Sequence, residues 1–385
     1  MKKGIIKIIA LVVAIACAVV PFTIGANAEN TSYQSLELDC KSAILMEAST
    51  GKILYAKNEN EALPPASVTK VMTLLLVMEA INDGKLKYTD MLSASEYACS
   101  MGGSQIYLEV GEQMSVEDLL KSVIIASAND AAVVLAEAVA GTESSFVEMM
   151  NERARELGML NTTFENTNGL DDTTENHLTS AKDIAIMSRE LIKYPKITEY
   201  SRIWMDTVRD GAFGLTNTNR LIRFYEGATG LKTGSTSKAG FCITATAERG
   251  GMTLIAVIMG SSGRDARNSS AVALLNYGFS NFTVFKSQSV EHTLPVKGGR
   301  RDACCAIEEE FVCVVNKKHA DKIEKSIELE DALEAPVAKG SLVGTVTYKV
   351  NGEVLGTAKI ITNEDVQAIR FSDILIRLLA RVCMS

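Results

Sequence analysis

Histidine is scarce in this chain of 385 residues: only His177, His292 and His319 occur. That is too few for a His-rich metal site, and it narrows the candidates for a histidine-based triad. None of the eight cysteines form a Cys-x-x-Cys pair, so a structural zinc site is not indicated. A basic excess is also missing. There are 39 Lys+Arg against 47 Asp+Glu, a formal charge of −8, whereas a nucleic-acid binder needs a basic face. No internal repeat or low-complexity linker interrupts the chain. Charged residues make up 22% of it and mean hydropathy is +0.11, which excludes a mostly disordered protein. The length suggests two or three domains.

The N-terminus reads as a secretory signal. Lys2, Lys3 and Lys7 precede an apolar run from Ile8 to Val20, then Pro21 and the small-residue ending Ala26-Asn27-Ala28. The run is too short to span a membrane comfortably. Cleavage is expected after Ala28; a lipoprotein signal at Cys17 is disfavoured because Cys17 lies inside the apolar run. Cleavage removes three lysines and no acid, leaving 36 basic and 47 acidic side chains, a net −11. Seven cysteines remain, an odd and irregularly spaced set that is no disulfide framework. Cys40 and Cys242 read as buried small hydrophobes. One disulfide among Cys304, Cys305 and Cys313 is conceivable, although neighbouring cysteines rarely suit the geometry.

The C-terminus is of another kind. Phe371, Ile374, Leu375, Leu378 and Val382 recur at helical spacing, with Arg370, Asp373, Arg377 and Arg381 opposite them. The pattern predicts an amphipathic helix that lies on an anionic membrane surface, or else docks on its own domain.

Between the ends, residues 36–279 alternate helical and strand-like stretches. A short hairpin is expected around Thr50-Gly51. Helices are expected over Ser67–Asn82, Ser115–Ile125, Asp130–Ala140, Phe146–Leu157 and Ser180–Lys193. A hairpin of two covered strands, Phe241–Ala247 and Met252–Met259, turns at Glu248-Arg249-Gly250-Gly251. Helices with an antiparallel sheet imply a mixed α/β or α+β domain. After Phe282 the texture is β-rich, and Asn351-Gly352 marks a tight hairpin.

The chemistry concentrates in three short motifs. Ser67 and Lys70 stand three residues apart at the mouth of an apolar helix, so hydroxyl and amine share a face. Serine needs a base to become a nucleophile, and a lysine buried among Val71, Met72, Leu74 and Leu75 can lose its proton and serve. Ser127-Ala128-Asn129 lies in the break between two helices. Lys232-Thr233-Gly234 lies in a strand-like stretch, where it can pair with a substrate backbone and offer a cation to a carboxylate. Gly234 leaves room for close approach. No metal and no cofactor is called for.

The ordered set Ser-x-x-Lys, Ser-x-Asn and Lys-Thr-Gly is the signature of the penicillin-recognising serine enzymes. Over residues 38–280 the chain resembles the low-molecular-mass penicillin-binding proteins that act as serine D-alanyl-D-alanine carboxypeptidases. The likeness rests on the three motifs, on Asn168-Gly169-Leu170, on His177–Asp183 and on Ala239-Gly240-Phe241-Cys242.

The resemblance implies an α+β fold: a helical cluster against a five-stranded antiparallel sheet, then a small all-β domain and an amphipathic helix. It divides the chain into a signal (1–28), a catalytic domain (29–282), a β-rich domain (283–364) and a membrane-anchoring helix (365–385). It implies acylation of Ser67 by a peptidoglycan stem peptide with release of terminal D-alanine, which would limit cross-linking. Lys70 would be the general base and Ser127 the proton relay. Asn129 would hold the substrate amide, and Lys232 and Thr233 the terminal carboxylate. Backbone N–H groups of Ser67 and Ser235 would form the oxyanion hole. β-Lactams would be covalent inhibitors, and the site would lie outside the cytoplasm.

His177 reads as structural, since the mechanism already has its base. A transpeptidase or endopeptidase would differ only in the acceptor, amine versus water, and two further alternatives remain. A β-lactamase would need a glutamate poised on water, and Glu165 lies in the right region, followed by a carboxypeptidase-like pattern. A penicilloyl sensor would stop at the acyl-enzyme.

Overall fold

The computed structural model describes residues 36–172 and 174–383. The signal segment lies outside them. Two strands flank the Thr50-Gly51 turn, β1 (Ser42–Glu47) and β2 (Ile53–Lys57). With β3 (Ala228–Thr236), β4 (Gly240–Arg249) and β5 (Met252–Ser261) they form a five-stranded antiparallel sheet ordered β2-β1-β5-β4-β3. Strands β4 and β5 are buried on both faces, as their Ile/Val/Ala content predicts. Ile255, Val257 and Met259 point into the helical core. On the other pleat Leu254 meets helix 264–281, where a Cβ at Gly278 would stand 2.5 Å from it.

The helical cluster comprises α1 (Lys70–Asn82), α2 (Val116–Lys121), α3 (Asn129–Ala140), α4 (Glu143–Glu156) and α5 (Ala181–Leu191); α6 (Arg264–Asn281) covers the far face of the sheet. Helix α1 is apolar all round and buried over nearly its whole length, as expected of a central helix.

Three boundaries differ from the sequence expectation. The helix expected from Ser67 opens as a 3₁₀ turn, Ala66–Thr69, after Pro64-Pro65, with Ala66 at φ +48°. The helix expected to reach Ile125 changes to a π turn at Ser122–Ala126 and stops at Ser127 in the left-handed conformation, φ +65°. Helix α4 starts three residues early because the Thr142 side chain accepts the Ser145 N–H at 3.1 Å, an N-cap.

The β-rich domain follows α6. A ribbon pairs β6 (Phe282–Lys286) with β9 (Val312–Asn316). A six-stranded sheet contains β7 (Glu291–Lys297), β8 (Ala303–Glu308), β10 (Ile323–Leu329), β11 (Leu333–Glu334), β12 (Leu342–Val350) and β13 (Glu353–Thr362), in the order β10-β12-β13-β8-β7-β11. The β12–β13 hairpin turns at Asn351-Gly352. Its core is separate from the catalytic one and includes Leu294, Cys304, Val346, Tyr348 and Ile360. Cys304, Cys305 and Cys313 are free thiols, so the conceivable disulfide is not formed. Cys242 is buried as expected; Cys40 is only half-buried.

The C-terminal helix, α7 (Phe371–Cys383), exposes the apolar side chains of Phe371, Ile374, Leu375 and Leu378. Phe371 is 80% exposed and Leu378 56%, while Asp373 of the same helix accepts a 2.9 Å hydrogen bond from Arg300 Nε of the β-rich domain. Among the described residues, no helix is long and apolar enough to cross a membrane.

Candidate active site

All eight predicted site residues converge between the helical cluster and β3. Lys70, at the start of α1, is fully buried, and its Nζ lies 2.9 Å from Ser67 Oγ and 2.9 Å from the Asn168 carbonyl. Burial, reinforced by the nearby Lys232 charge, pushes its ammonium well below the usual lysine range. A neutral amine at that distance can take the hydroxyl proton of Ser67.

Ser127 Oγ accepts a 2.9 Å hydrogen bond from Lys232 Nζ. That lysine is also buried, and burial followed by the Arg267 charge brings it down to about 7. The left-handed backbone at Ser127 ends the π turn and presents the hydroxyl to the cleft without a glycine.

Asn129 is buried at the first residue of α3. Its Nδ2 donates to the Gly102 carbonyl at 2.6 Å, and its Oδ1 has no partner among the described residues. A buried, unpaired acceptor is costly unless a ligand N–H meets it. Asp130 beside it accepts from the backbone N–H groups of Ile106 and Leu108, pinning the loop that carries Ser104 into the cleft.

Gly234 faces the nucleophile turn. A Cβ there would stand 2.7 Å from Ser67 N and 2.9 Å from Val68 N. Gly169, at φ +85°, packs against the same turn, where a Cβ would overlap the Ala66 carbonyl. Thr233 Oγ1 donates to Thr218 Oγ1 at 2.8 Å, and Ser235 lines the cleft beside it. The cleft has a volume of about 710 Å³.

His177 is structural, as expected. Its Nε2 lies 2.7 Å from Thr69 Oγ1, and its Nδ1 accepts the Glu165 N–H at 2.9 Å, so it must be the Nε2–H tautomer. Burial drops its pKa to about 4 and holds it neutral. The Glu165 carboxylate accepts from Glu175 N and Asn176 N and lines a different cavity, with Tyr97 and Glu137. It does not face Ser67, which removes the main residue-level argument for a β-lactamase.

Sequence reasoning missed Arg267. The residue is 3% exposed and lines the cleft, and its guanidinium donates to the Cys242 carbonyl at 3.4 Å and to Asn268 Oδ1 at 2.9 Å. Burial lowers it to about 10. The signal was present: Arg267 falls on the stripe Ser270, Ala271, Leu274, Leu275, Gly278 that α6 buries, and a charge there calls for a reason.

The chain is similar to known proteins over most of its length. Residues 28–263 match the family described as D-alanyl-D-alanine carboxypeptidase, and residues 279–368 match the C-terminal domain of penicillin-binding protein 5. The chain is 43% identical over 360 residues to the D-alanyl-D-alanine carboxypeptidase DacF of Bacillus subtilis, covering 91% of this chain and 92% of that one. It is 32% identical to DacC of Escherichia coli, covering 90% and 89%. Penicillin-binding protein 5 of Haemophilus influenzae superposes with a TM-score of 0.76 at 32% identity, covering 87% of this chain and 99% of that structure. Penicillin-binding protein D2 of Listeria monocytogenes, solved with ampicillin bound, matches at TM-score 0.59 and 32% identity, covering 64% and 100%.

Proposed function

The chain belongs to the D-alanyl-D-alanine carboxypeptidase family, and we propose that Ser67 is its nucleophile and Lys70 the base that activates it. The reaction is hydrolysis of the terminal D-alanine from a peptidoglycan stem peptide. The observation that carries the assignment is the 2.9 Å contact between Ser67 Oγ and a fully buried Lys70 amine.

Neutral Lys70 takes the hydroxyl proton as Ser67 Oγ attacks the penultimate carbonyl. The oxyanion forms where the backbone N–H groups of Ser67 and Ser235 can meet it. Ser127, hydrogen-bonded to Lys232, passes a proton to the departing amine. Asn129 Oδ1, otherwise unpaired, accepts the substrate amide N–H. Lys232 and Thr233 hold the terminal carboxylate; the buried Arg267 guanidinium adds a second cation to the same end of the cleft. Water then attacks the acyl-enzyme. β-Lactams enter the same path as covalent inhibitors, in keeping with the ampicillin-bound relative.

The cell-wall substrate lies outside the cytoplasm. Residues 1–28 serve as the export signal, and residues 29–282 and 283–364 are the catalytic and β-rich domains. Segment 365–385 lies on an anionic membrane surface, supported by the exposed apolar side chains of α7.

Labelling with a fluorescent penicillin tests the nucleophile: the native protein takes label and Ser67→Ala does not. Label on Ser67→Ala would sink the assignment, and label without D-alanine release from a stem-peptide mimic would favour a sensor. If deletion of 369–385 leaves the protein on membranes, the helix is not the anchor.

A further inference from the structure

The N–H of Ser67 and the carbonyl of Ala66 are the two ends of one planar peptide group, so whatever orients the carbonyl also aims the N–H. The amide end faces β3: a Cβ on Gly234 would stand 2.7 Å from Ser67 N. Ser235, source of the second oxyanion donor, follows on the same strand. The peptide sits in an unusual turn. Ala66 is buried and left-handed, at φ +48°, although it is not glycine. Such a backbone persists only where its surroundings hold it.

A directed chain of hydrogen bonds holds it. Thr69 Oγ1 donates to the Ala66 carbonyl at 2.8 Å. His177, 108 positions along the chain, donates from Nε2 to that hydroxyl at 2.7 Å and accepts the Glu165 N–H on Nδ1 at 2.9 Å. A hydroxyl has one proton; with the ring donating to its oxygen, that proton is committed to Ala66 O. Thr69 and His177 are both buried, and burial keeps the ring neutral, with one donor and one acceptor. Gly169 closes over the same carbonyl, where a Cβ would stand 1.9 Å from the oxygen. The neighbouring Asn168 carbonyl accepts from Lys70 Nζ at 2.9 Å. The segment from Glu165 to His177 thus carries fixed points for both the base and the nucleophile turn. A threonine bonded to the carbonyl three residues back is a local motif that needs no histidine. The ring adds a donor fixed from across the fold, and hydrogen bonds in series strengthen one another.

We propose that His177 and Thr69 are positioning residues for the oxyanion hole, holding the Ala66–Ser67 peptide with its N–H toward Gly234 and Ser235. This rests on the reading of Ser67 as nucleophile and of its N–H as an oxyanion donor. Both residues act through the peptide they hold and exchange no proton with the substrate.

The test uses the full chain, a peptide ending in D-Ala-D-Ala and its analogue with sulfur in place of the scissile carbonyl oxygen. Sulfur is a weak acceptor, so the oxygen-to-sulfur ratio of kcat/KM reports how well the donors are aimed. Thr69→Val keeps the shape without the hydroxyl, and His177→Phe keeps a ring without the donor. Each should lose about 10- to 100-fold in kcat on the oxygen peptide, part of the worth of a whole oxyanion donor, with KM within about threefold of native. The oxygen-to-sulfur ratio should fall about tenfold in each and return to near the native value in Thr69→Ser. The ratio is read within each protein, so a smaller folded fraction cancels, and either variant decides if the other does not fold. A lower Tm with an unchanged ratio overturns the proposal, as does an equal fall in Thr69→Ser and Thr69→Val. A native protein that releases no D-alanine, or takes label on Ser67→Ala, defeats the nucleophile reading and the positioning role with it.

Discussion

Substituting Gly234→Ala is a sharp test of how the strand and the nucleophile turn are fitted. The added Cβ would meet Ser67 N at 2.7 Å, Val68 N at 2.9 Å and Ala66 Cβ at 3.0 Å. Two of these are backbone atoms of the turn, which cannot rotate away. Ordinary contact is about 3.5 Å, so turn and β3 must separate by roughly 0.5–1 Å. Displacement on that scale costs up to about 10²-fold in rate. The methyl would also crowd Ser67 N–H, and loss of one oxyanion donor costs about 10²–10³-fold. Acylation by a fluorescent penicillin should therefore slow about 10²- to 10³-fold. Overpacking should cost about 1–3 kcal/mol, a fall of about 2–10 °C in Tm. Gly214→Ala is the control: nothing lies within 4 Å of its Cβ and its φ is not left-handed, so stability and acylation should stay at the native level. Acylation of Gly234→Ala within twofold of native would refute the reasoning.

Lys70→Arg should lose at least about 10²-fold in acylation, since a guanidinium keeps its proton; stopped-flow labelling at several pH values checks it, and recovery of the rate near pH 9 would contradict the base assignment. Lys232 loses its proton near 7, so its help to the substrate carboxylate is present below that pH and fades above it. The kcat/KM for a D-Ala-D-Ala peptide should therefore have a falling limb near 7 that Lys232→Arg moves upward; an unmoved limb assigns it elsewhere. Arg267→Gln should lower kcat/KM for the same peptide about 10- to 100-fold, the scale of a charged hydrogen bond, mainly through KM. Its failure to do so would leave the buried guanidinium without a role in binding. His177 stays neutral in the fold down to about 4, while the unfolded chain takes a proton near 6.5. The unfolded state binds more protons between those values, so stability falls as pH drops from 6.5 to 4, by about 1–3 kcal/mol from this group. Calorimetry of the native protein and His177→Gln should show a shallower acid slope in the variant; equal slopes would refute the linkage.

The local chemistry was legible in the sequence because it is encoded at short range. Ser67 and Lys70 are three residues apart, and helical geometry alone brings hydroxyl and amine together. The apolar neighbours of Lys70 already implied a depressed pKa. The Thr50-Gly51 and Asn351-Gly352 turns, the covered strands β4 and β5 and the amphipathic α7 follow from local periodicity and turn chemistry. The ordering of the three motifs carried the family.

What the tertiary structure decided lies at long range or in backbone conformations that composition does not announce. Pairing of Lys232 with Ser127 joins residues 105 positions apart and depends on β3 closing against the π turn. The turn itself, with Ser127 left-handed and no glycine, has no sequence signal of its own. Arg267 reaches the cleft only because α6 crosses the far face of the sheet with that side chain on its buried stripe. The Asn129 Oδ1 vacancy and the seclusion of Glu165 in another cavity are products of packing. Spacing along a chain fixes which groups share a helix face; only the closed fold determines which charges end up facing one another without partners.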